Sequence, residues 1–463
     1  MAGESSGLWN NLPSIIIVEI FSFLTVKDRL NASSVCKAWR NNLFHPKLWR
    51  KVVFQLNSCD NKTVNQNNDG ARFLAKHCGR FAREVVIEVN SSNPKDVQLC
   101  KDILKVLTFN NNLRALSIKP RSSRLEWSDY NDTLSLDQYL EFLIRIIKTA
   151  HCLEHLSLGC IEELLDLSEY FLTPLAEYQA ACIRSLHLSS VKEVPGSYFI
   201  YDINSSIFKT FLNLECLSID YDYISDQLLE ILSQPHRRPL RRLNIHVHSF
   251  HYRLPDISSS AWKQIRSCSP SLEVTINLLH FHNSPEHVHY ILNSEMPLTH
   301  FRVYFSSGFN VEAITRIAFI NNESLKSLVL VDELNEDSTA TSTFLSSSID
   351  PLIMLAWRCK RLTRMKIIGY EVGADSLIAI SRLRGEQLQD LQIPVCCIST
   401  TQLEDSIQLT KEAAIQHMQR EVSYGLQKPW RPLCVGELPL AVRNVNVDAD
   451  GAYLDELLRD QKW

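Results

Sequence analysis

The pattern LxxLxL recurs along most of this chain, first at Leu113-Leu116-Ile118, Leu153-Leu156-Leu158, Ile183-Leu186-Leu188, Leu214-Leu217-Ile219 and Leu240-Leu243-Ile245. It resumes at Leu298-Phe301-Val303, Leu325-Leu328-Leu330, Leu362-Met365-Ile367 and Leu388-Leu391-Ile393. One unit departs from it: Leu272, Val274, Ile276 and Leu278 alternate strictly. Counting that unit, successive starts lie 26 to 40 residues apart, which is room for one strand and one helix. Between strands the helical period returns, as in Tyr139, Leu140, Leu143, Ile144 and Ile147, or in Val311, Ile314 and Ile317 behind an Asn310 cap. A single such unit cannot bury its leucines, so units must stack on one another to make a core.

That arrangement is α/β: a leucine-rich-repeat solenoid, or horseshoe, of strand-helix units with parallel strands along its concave wall. Val52-Val53-Phe54 and Val85-Val86-Ile87 read as two further strands. Successive strand side chains alternate faces, so the leucines point inward and the residues between them form the wall. The wall positions that best suit a protein substrate are Asp220, Arg242, Asn244, His246, Arg302, Tyr304, Arg364 and Lys366. Cations gather in its C-terminal half, where guanidinium groups would pair with an acidic or phosphorylated segment through charge-assisted bonds. The competing reading is a wall that is polar only because water wets it. Two insertions, 119–135 and 332–350, widen their repeats. Trp127 and Tyr130, aromatic residues in the polar first insertion, are further contact candidates.

The first fifty residues follow another pattern. Leu12-Pro13 opens a stretch in which Ile16, Ile20, Phe23 and Leu24 recur at helical spacing. Thr25-Val26-Lys27-Asp28 has capping-box spacing and starts a second helix, and Leu30, Val35, Trp39 and Leu43 continue the apolar series toward Leu48 and Trp49. So short a segment has trouble covering two tryptophans and this many aliphatic side chains, so part of the surface is expected to face a partner.

These residues resemble an F-box: Leu12-Pro13, Ile20-Phe21-Ser22-Phe23-Leu24, Asp28, Val35-Cys36-Lys37-Ala38-Trp39-Arg40 and Leu48-Trp49-Arg50. Ser14 stands where the family usually has an acidic residue and Val26 where a proline is common, neither being a large apolar anchor. The resemblance implies a three-helix module that docks on the Skp adaptor of a cullin-based ubiquitin ligase. Leu12, Pro13, Ile16, Ile20, Leu24, Leu30, Val35, Trp39, Leu48 and Trp49 would pack the module or bind the adaptor. Lys27, Arg29, Lys37, Arg40, Lys47 and Arg50 outnumber Glu4, Glu19 and Asp28, a balance that suits an acidic partner.

The domain reading is therefore an F-box at 7–53, a linker and entry segment at 54–80, the solenoid at 81–408, and a C-terminal capping helix and tail at 409–463. Within the linker, 57–70 is polar and reads as a loop. In the tail, Tyr453, Leu454, Leu457 and Leu458 fall on one helical face, which should dock on the solenoid.

Other classes are poorly supported. A net charge of −4 provides no global field for nucleic acid or an anionic membrane. No apolar run approaches a membrane span and no secretion signal opens the chain, so an intracellular protein, cytoplasmic or nuclear, is expected. Thirteen cysteines without a CxxC pair argue for reduced thiols rather than a disulfide framework or zinc knuckle. Phosphate-loop, dinucleotide, zinc-protease and serine-hydrolase motifs are missing, so no catalytic residues and no cofactor are expected. His246, His248, His251, His280, His282, His287 and His289 are a local excess, but no carboxylate or thiolate is obviously placed to complete a metal set, so no metal is expected.

The functional expectation is a non-catalytic substrate receptor: the F-box holds the Skp adaptor and through it the cullin and RING subunit, while the solenoid holds a protein substrate. The alternative is a leucine-rich-repeat scaffold not coupled to ubiquitin transfer.

Overall fold

The computed structural model describes residues 12–56, 65–123, 133–192, 204–249, 256–282, 286–306, 309–335, 342–343, 350–401, 404, 410–444 and 446–461. The chain divides into two compact units, one built from 1–158 and 170–183, the other from 159–169 and 184–462.

The first unit opens with helices Ser14–Ser22, Val26–Ser33 and Lys37–Asn42 and a 3₁₀ turn, Pro46–Trp49. The Thr25 hydroxyl accepts the Asp28 amide at 3.2 Å and starts the second helix. The expected capping box is modified, because the Asp28 carboxylate accepts from the Thr25 hydroxyl at 2.7 Å rather than from a backbone amide. Arg29 is buried, its guanidinium donating to the carbonyls of Phe21 (3.2 Å), Leu24 (3.2 Å) and Leu48 (2.6 Å). It ties two helix ends to the closing turn, so it is not among the cations that face a partner. The Trp49 indole donates to the Leu43 carbonyl at 2.6 Å and lies 1% exposed.

Strands β1 (Lys51–Leu56), β2 (Glu84–Val89), β3 (Ala115–Pro120) and β4 (His155–Ser157) follow in order, each parallel to the one before. The polar stretch from 57 onward is not wholly a loop, since Asn65–Cys78 is a helix, and 54–80 is no simple linker. Phe73 on that helix meets Phe44 edge-on, ring centroids 5.5 Å apart, and His77 stacks on Phe44 at 4.5 Å. Ala71, Ala75 and Cys78, buried at i, i+4 and i+7 of this helix, supply an apolar face that a purely compositional reading passes over.

The second unit carries β5 (Ser185–His187), β6 (Cys216–Asp220), β7 (Arg242–Val247), β8 (Glu273–Leu279), β9 (Leu298–Tyr304), β10 (Ser327–Val331), β11 (Ser342–Thr343), β12 (Arg364–Ile368), β13 (Tyr370–Gly373), β14 (Asp390–Gln392) and β15 (Ile398–Ser399). The parallel ladder runs β5-β6-β7-β8-β9-β10-β12-β14, and β11, β13 and β15 form a smaller one. At the unit with strict alternation the register shifts: Val274 pairs with Leu298 but Thr275 with His300. Gly369, at φ +85°, turns the chain from β12 to β13 where an added Cβ would lie 2.6 Å from the Asp332 carbonyl oxygen.

The helix Val311–Ile320 has the cap that the sequence predicts, and the helix Lys411–Leu426 after the last strand is capped in the same way. Asn310 accepts the Ala313 amide at 3.2 Å and Thr410 the Ala413 amide at 3.4 Å. The repeat leucines are buried throughout, Leu217, Leu243, Leu328 and Met365 completely so. The architecture is mixed α/β, with parallel strands connected by helices.

One expectation fails. The residues between the leucines are expected to form an open wall for a protein substrate, yet Ser185, His187, Ser218, Asp220, Asn244, His246 and Arg302 are all buried. The expectation considered each strand alone, whereas in the fold a distant part of the chain lies over this face.

Candidate functional site

Two surfaces answer to the sequence-predicted sites. The first is on the N-terminal helices, where Phe23, Ile15 and Val35 are 81%, 76% and 69% exposed, with Ile16, Val26 and Leu30 also open. Ile17, Val18 and Phe21 take the buried face of the first helix, so three consecutive isoleucines split between core and surface by helical geometry. Among the expected adaptor contacts, Pro13, Ile16, Leu30 and Val35 are exposed, and Leu12, Ile20, Leu24 and Trp39 half-buried. Leu48 and Trp49 are buried and pack the segment itself. Phe21 supports Trp39 edge-on at 5.7 Å. An open apolar patch on so small a helical segment is the physical mark of a protein-binding surface.

The second surface is the polar face of the strands in the second unit, where the expected substrate contacts lie. The helix Asp450–Asp460 packs over it. Tyr453, Leu454, Leu457 and Leu458 are buried, as the apolar stripe predicts. Glu456 and Asp460, one turn apart on that helix, meet the cations of the strands. Arg302 reaches Asp460 through both terminal nitrogens, Nη2 to Oδ1 at 3.2 Å, and Glu456 through Nε at 3.4 Å. Arg364 pairs with Glu456, its second contact at 3.4 Å, and with Asp390 at 3.1 Å. Arg242 and Asn244 donate to the Asp460 carbonyl at 3.3 and 3.5 Å, at the negative end of the helix. Tyr304 packs at a tilt against Tyr453, ring centroids 5.3 Å apart, and His280 shares a hydrogen bond with the Tyr453 hydroxyl at 2.9 Å.

Electrostatics agree with the geometry. Burial alone would lower the Arg302 pKa, but Asp460 and Glu456 hold it above its ordinary value. Burial works against ionised Glu456, and Arg302 and Arg364 outweigh it, leaving that carboxyl below its ordinary value. Lys366, half-buried beside them, is pushed down by burial against the pull of Glu456. The contacts also coincide with backbone strain. His280 and Phe305 hold φ of 49° and 48°, a region L-residues seldom adopt, and both rings pack on Tyr453. Cys160, at φ 64°, accepts from the Gln461 side chain at 2.8 Å.

Arg302 and Arg364, expected to recruit an acidic substrate, are therefore engaged by acids of the same chain, and Arg242 by a backbone carbonyl of the terminal helix. The sequence reading placed the terminal helix against the repeats but missed this pairing; its signal was the four-residue spacing of Glu456 and Asp460 beside the apolar stripe. Asp220 and His246 face each other across β6 and β7 and are buried. Trp127, Tyr130 and His251 lie outside the described residues. His287 and His289 sit on the helix Glu286–Ile291, away from the strands.

An apolar-patched helical segment leading into parallel strand-helix repeats is similar in plan to F-box proteins with leucine-rich repeats. Residues 9–55 match the F-box-like family. Over 483 aligned positions the chain is 29% identical to F-box only protein 33 of Homo sapiens, covering 93% of this chain and 84% of that protein. It is 26% identical to F-box/LRR-repeat protein 21 of Bos taurus, over 83% of this chain and 82% of the relative. A 46-residue match to F-box/LRR-repeat protein 12 of Mus musculus reaches 41% identity, over 10% of this chain and 14% of that protein. Among the described residues no helix is long and apolar enough to cross a membrane, and the cysteines are free thiols.

Proposed function

We propose that this chain is the substrate-recognition subunit of an intracellular cullin-type ubiquitin ligase, with no catalytic residues of its own. Its N-terminal helices bind the Skp adaptor and through it the cullin and RING subunit, while the repeats carry a protein substrate. The observation that carries this reading is the apolar patch of Ile15, Ile16, Phe23, Leu30 and Val35, left open in a segment that matches the F-box-like family. The mechanism is positional. Holding substrate and adaptor on one chain raises the effective concentration of substrate lysines near a charged ubiquitin-conjugating enzyme.

A substrate that uses Arg302 or Arg364 must first displace the helix Asp450–Asp460, because its acids already pair with these guanidinium groups, and Arg242 and Tyr304 meet the same helix at the Asp460 carbonyl and the Tyr453 ring. Substrate contact at these residues is thus coupled to release of that helix.

Adaptor capture by the full chain tests the proposal. Ile16 and Val35 lie on the surface, so Ile16→Ala/Val35→Ala leaves the fold intact and should reduce capture at least about tenfold, the consequence of losing two anchors from a central apolar patch. No capture by the wild type, or full capture by the variant, overturns the assignment. A scaffold uncoupled from ubiquitin transfer would retain its partners while failing to capture the adaptor.

A further inference from the structure

In the sequence no carboxylate is obviously placed to complete a metal set with the histidines of β7. Register supplies one. Asp220 on β6 pairs with His246 on β7, and His248, two residues on, falls on the same face because strand side chains alternate. One ligand atom from each of Asp220, His246 and His248 lies within 4.8 Å of the others, and all three residues are buried. We propose that these three residues form a binding site for a divalent transition ion, zinc in preference, inside the second unit.

Three observations carry the proposal. First, His248 Nε2 stands 3.6 Å from Asp220 Oδ1 with its side chain 1% exposed. That separation is too long for a hydrogen bond. Two ligands each about 2.1 Å from a tetrahedral ion would lie about 3.4 Å apart, so the gap suits a shared ion. Second, neither ring nitrogen of His248 has a hydrogen-bond partner among the described residues. A buried imidazole left so is costly, and coordination would relieve it. Third, His246 is already oriented as a ligand. Its Nδ1 lies 2.7 Å from the Ser190 carbonyl oxygen, which only accepts, so the proton sits on Nδ1 and the Nε2 lone pair is free.

Asp220 is held in turn by the Ser190 amide, which donates to Oδ1 at 2.8 Å, and the Ser190 hydroxyl, which donates to Oδ2 at 2.5 Å. Lys192 approaches Oδ2 at 3.9 Å, on the side away from His248. Two imidazoles and one carboxylate make a set of nitrogen and oxygen donors that suits zinc, with coordination completed by water or a small anion. The competing arrangement is a plain ion pair between Asp220 and a protonated His248, and it predicts no metal.

Zinc titration of the full-length chain distinguishes the two. Protein stripped with a chelator and dialysed is titrated with Zn²⁺ against a chromophoric competitor, then with Co²⁺ as a spectroscopic substitute. The proposal expects one equivalent bound tightly and cobalt d–d bands of a nitrogen and oxygen site. Asp220→Asn keeps the side-chain shape and its Ser190 contacts, and should weaken binding at least about tenfold, as should His248→Gln. His287→Ala, outside the cluster, should bind as the wild type does. No stoichiometric zinc in the wild type, cobalt bands of thiolate ligation, or undiminished binding by Asp220→Asn overturns the proposal. Circular dichroism of each apo-variant checks folding; if His248→Gln does not fold, Asp220→Asn decides.

Discussion

Arg302 is the residue on which attachment of the terminal helix most depends, and Arg302→Met tests this. Its side chain is 6% exposed and pairs with Glu456 at 3.4 Å and with Asp460 through two nitrogens. Removing one partner of a buried ion pair costs about 3–5 kcal/mol, chiefly because the other charge is left unpaired. Two features reduce the figure: Glu456 keeps Arg364, and the Asp460 side chain is 18% exposed, so water solvates part of it. The expected cost is about 3 kcal/mol, the low end of that range, or roughly a 150-fold larger opening equilibrium for the helix. Amide hydrogen exchange over Tyr453 to Asp460 reads this directly, with urea unfolding as the global measure. Adding Asp460→Asn removes the orphaned acid and should restore part of the loss, with Glu456 left in place because it pairs with Arg364. The clamp also has a pH signature. Glu456 has a depressed folded pKa, so its contribution is complete above the unfolded value of about 4.3 and is lost as pH falls through the folded one. Protection within threefold of wild type in Arg302→Met would refute the clamp.

Two further outcomes follow from buried charge elsewhere. Arg29→Leu strands the Phe21, Leu24 and Leu48 carbonyls and should cost about 3 kcal/mol in urea unfolding, with Arg29→Lys recovering little because an ammonium lacks the planar fork. Glu162 is buried with both carboxylate oxygens unpartnered among the described residues, and burial raises its pKa to about 9. It is therefore neutral in the folded protein, and its contribution is complete below the unfolded pKa of about 4.3 and lost as pH rises toward the folded value. Glu162→Gln should stabilise the chain by about 2 kcal/mol at pH 8 and by almost nothing at pH 4, and equal effects at both would contradict this.

The repeat and the N-terminal helices were legible because each rests on a short-range period. LxxLxL carries strand alternation within six residues, and the caps at Thr25, Asn310 and Thr410 are local as well. What escaped depends on pairing between distant residues. Register brings Asp220 beside His246 across 26 positions, which no local window contains. The contacts from Arg302 to Asp460 span 158 residues. Exposure on the N-terminal helices was legible only in sum: an apolar surplus was evident, but that Trp49 would bury while Phe23 stayed open followed from the Arg29 and Trp49 hydrogen bonds that close the turn.

The cationic strand face and the acidic terminal helix bear on how a substrate is selected. The face was read from sequence as a receptor for an acidic segment, and the chemistry was sound: Arg302 and Arg364 do bind carboxylates, from Glu456 and Asp460. The ligand is the chain's own helix, present at an effective concentration that a diffusing peptide does not match. An external acidic segment gains little by exchanging one carboxylate pair for another, since both leave the same guanidinium groups satisfied. Net gain must come from groups the helix leaves strained or poorly satisfied, and His280 and Phe305, held at positive φ against Tyr453, are such groups. Selectivity for a partner at this face would then reside in what replaces the tyrosine rather than in acidity, because charge alone is already matched.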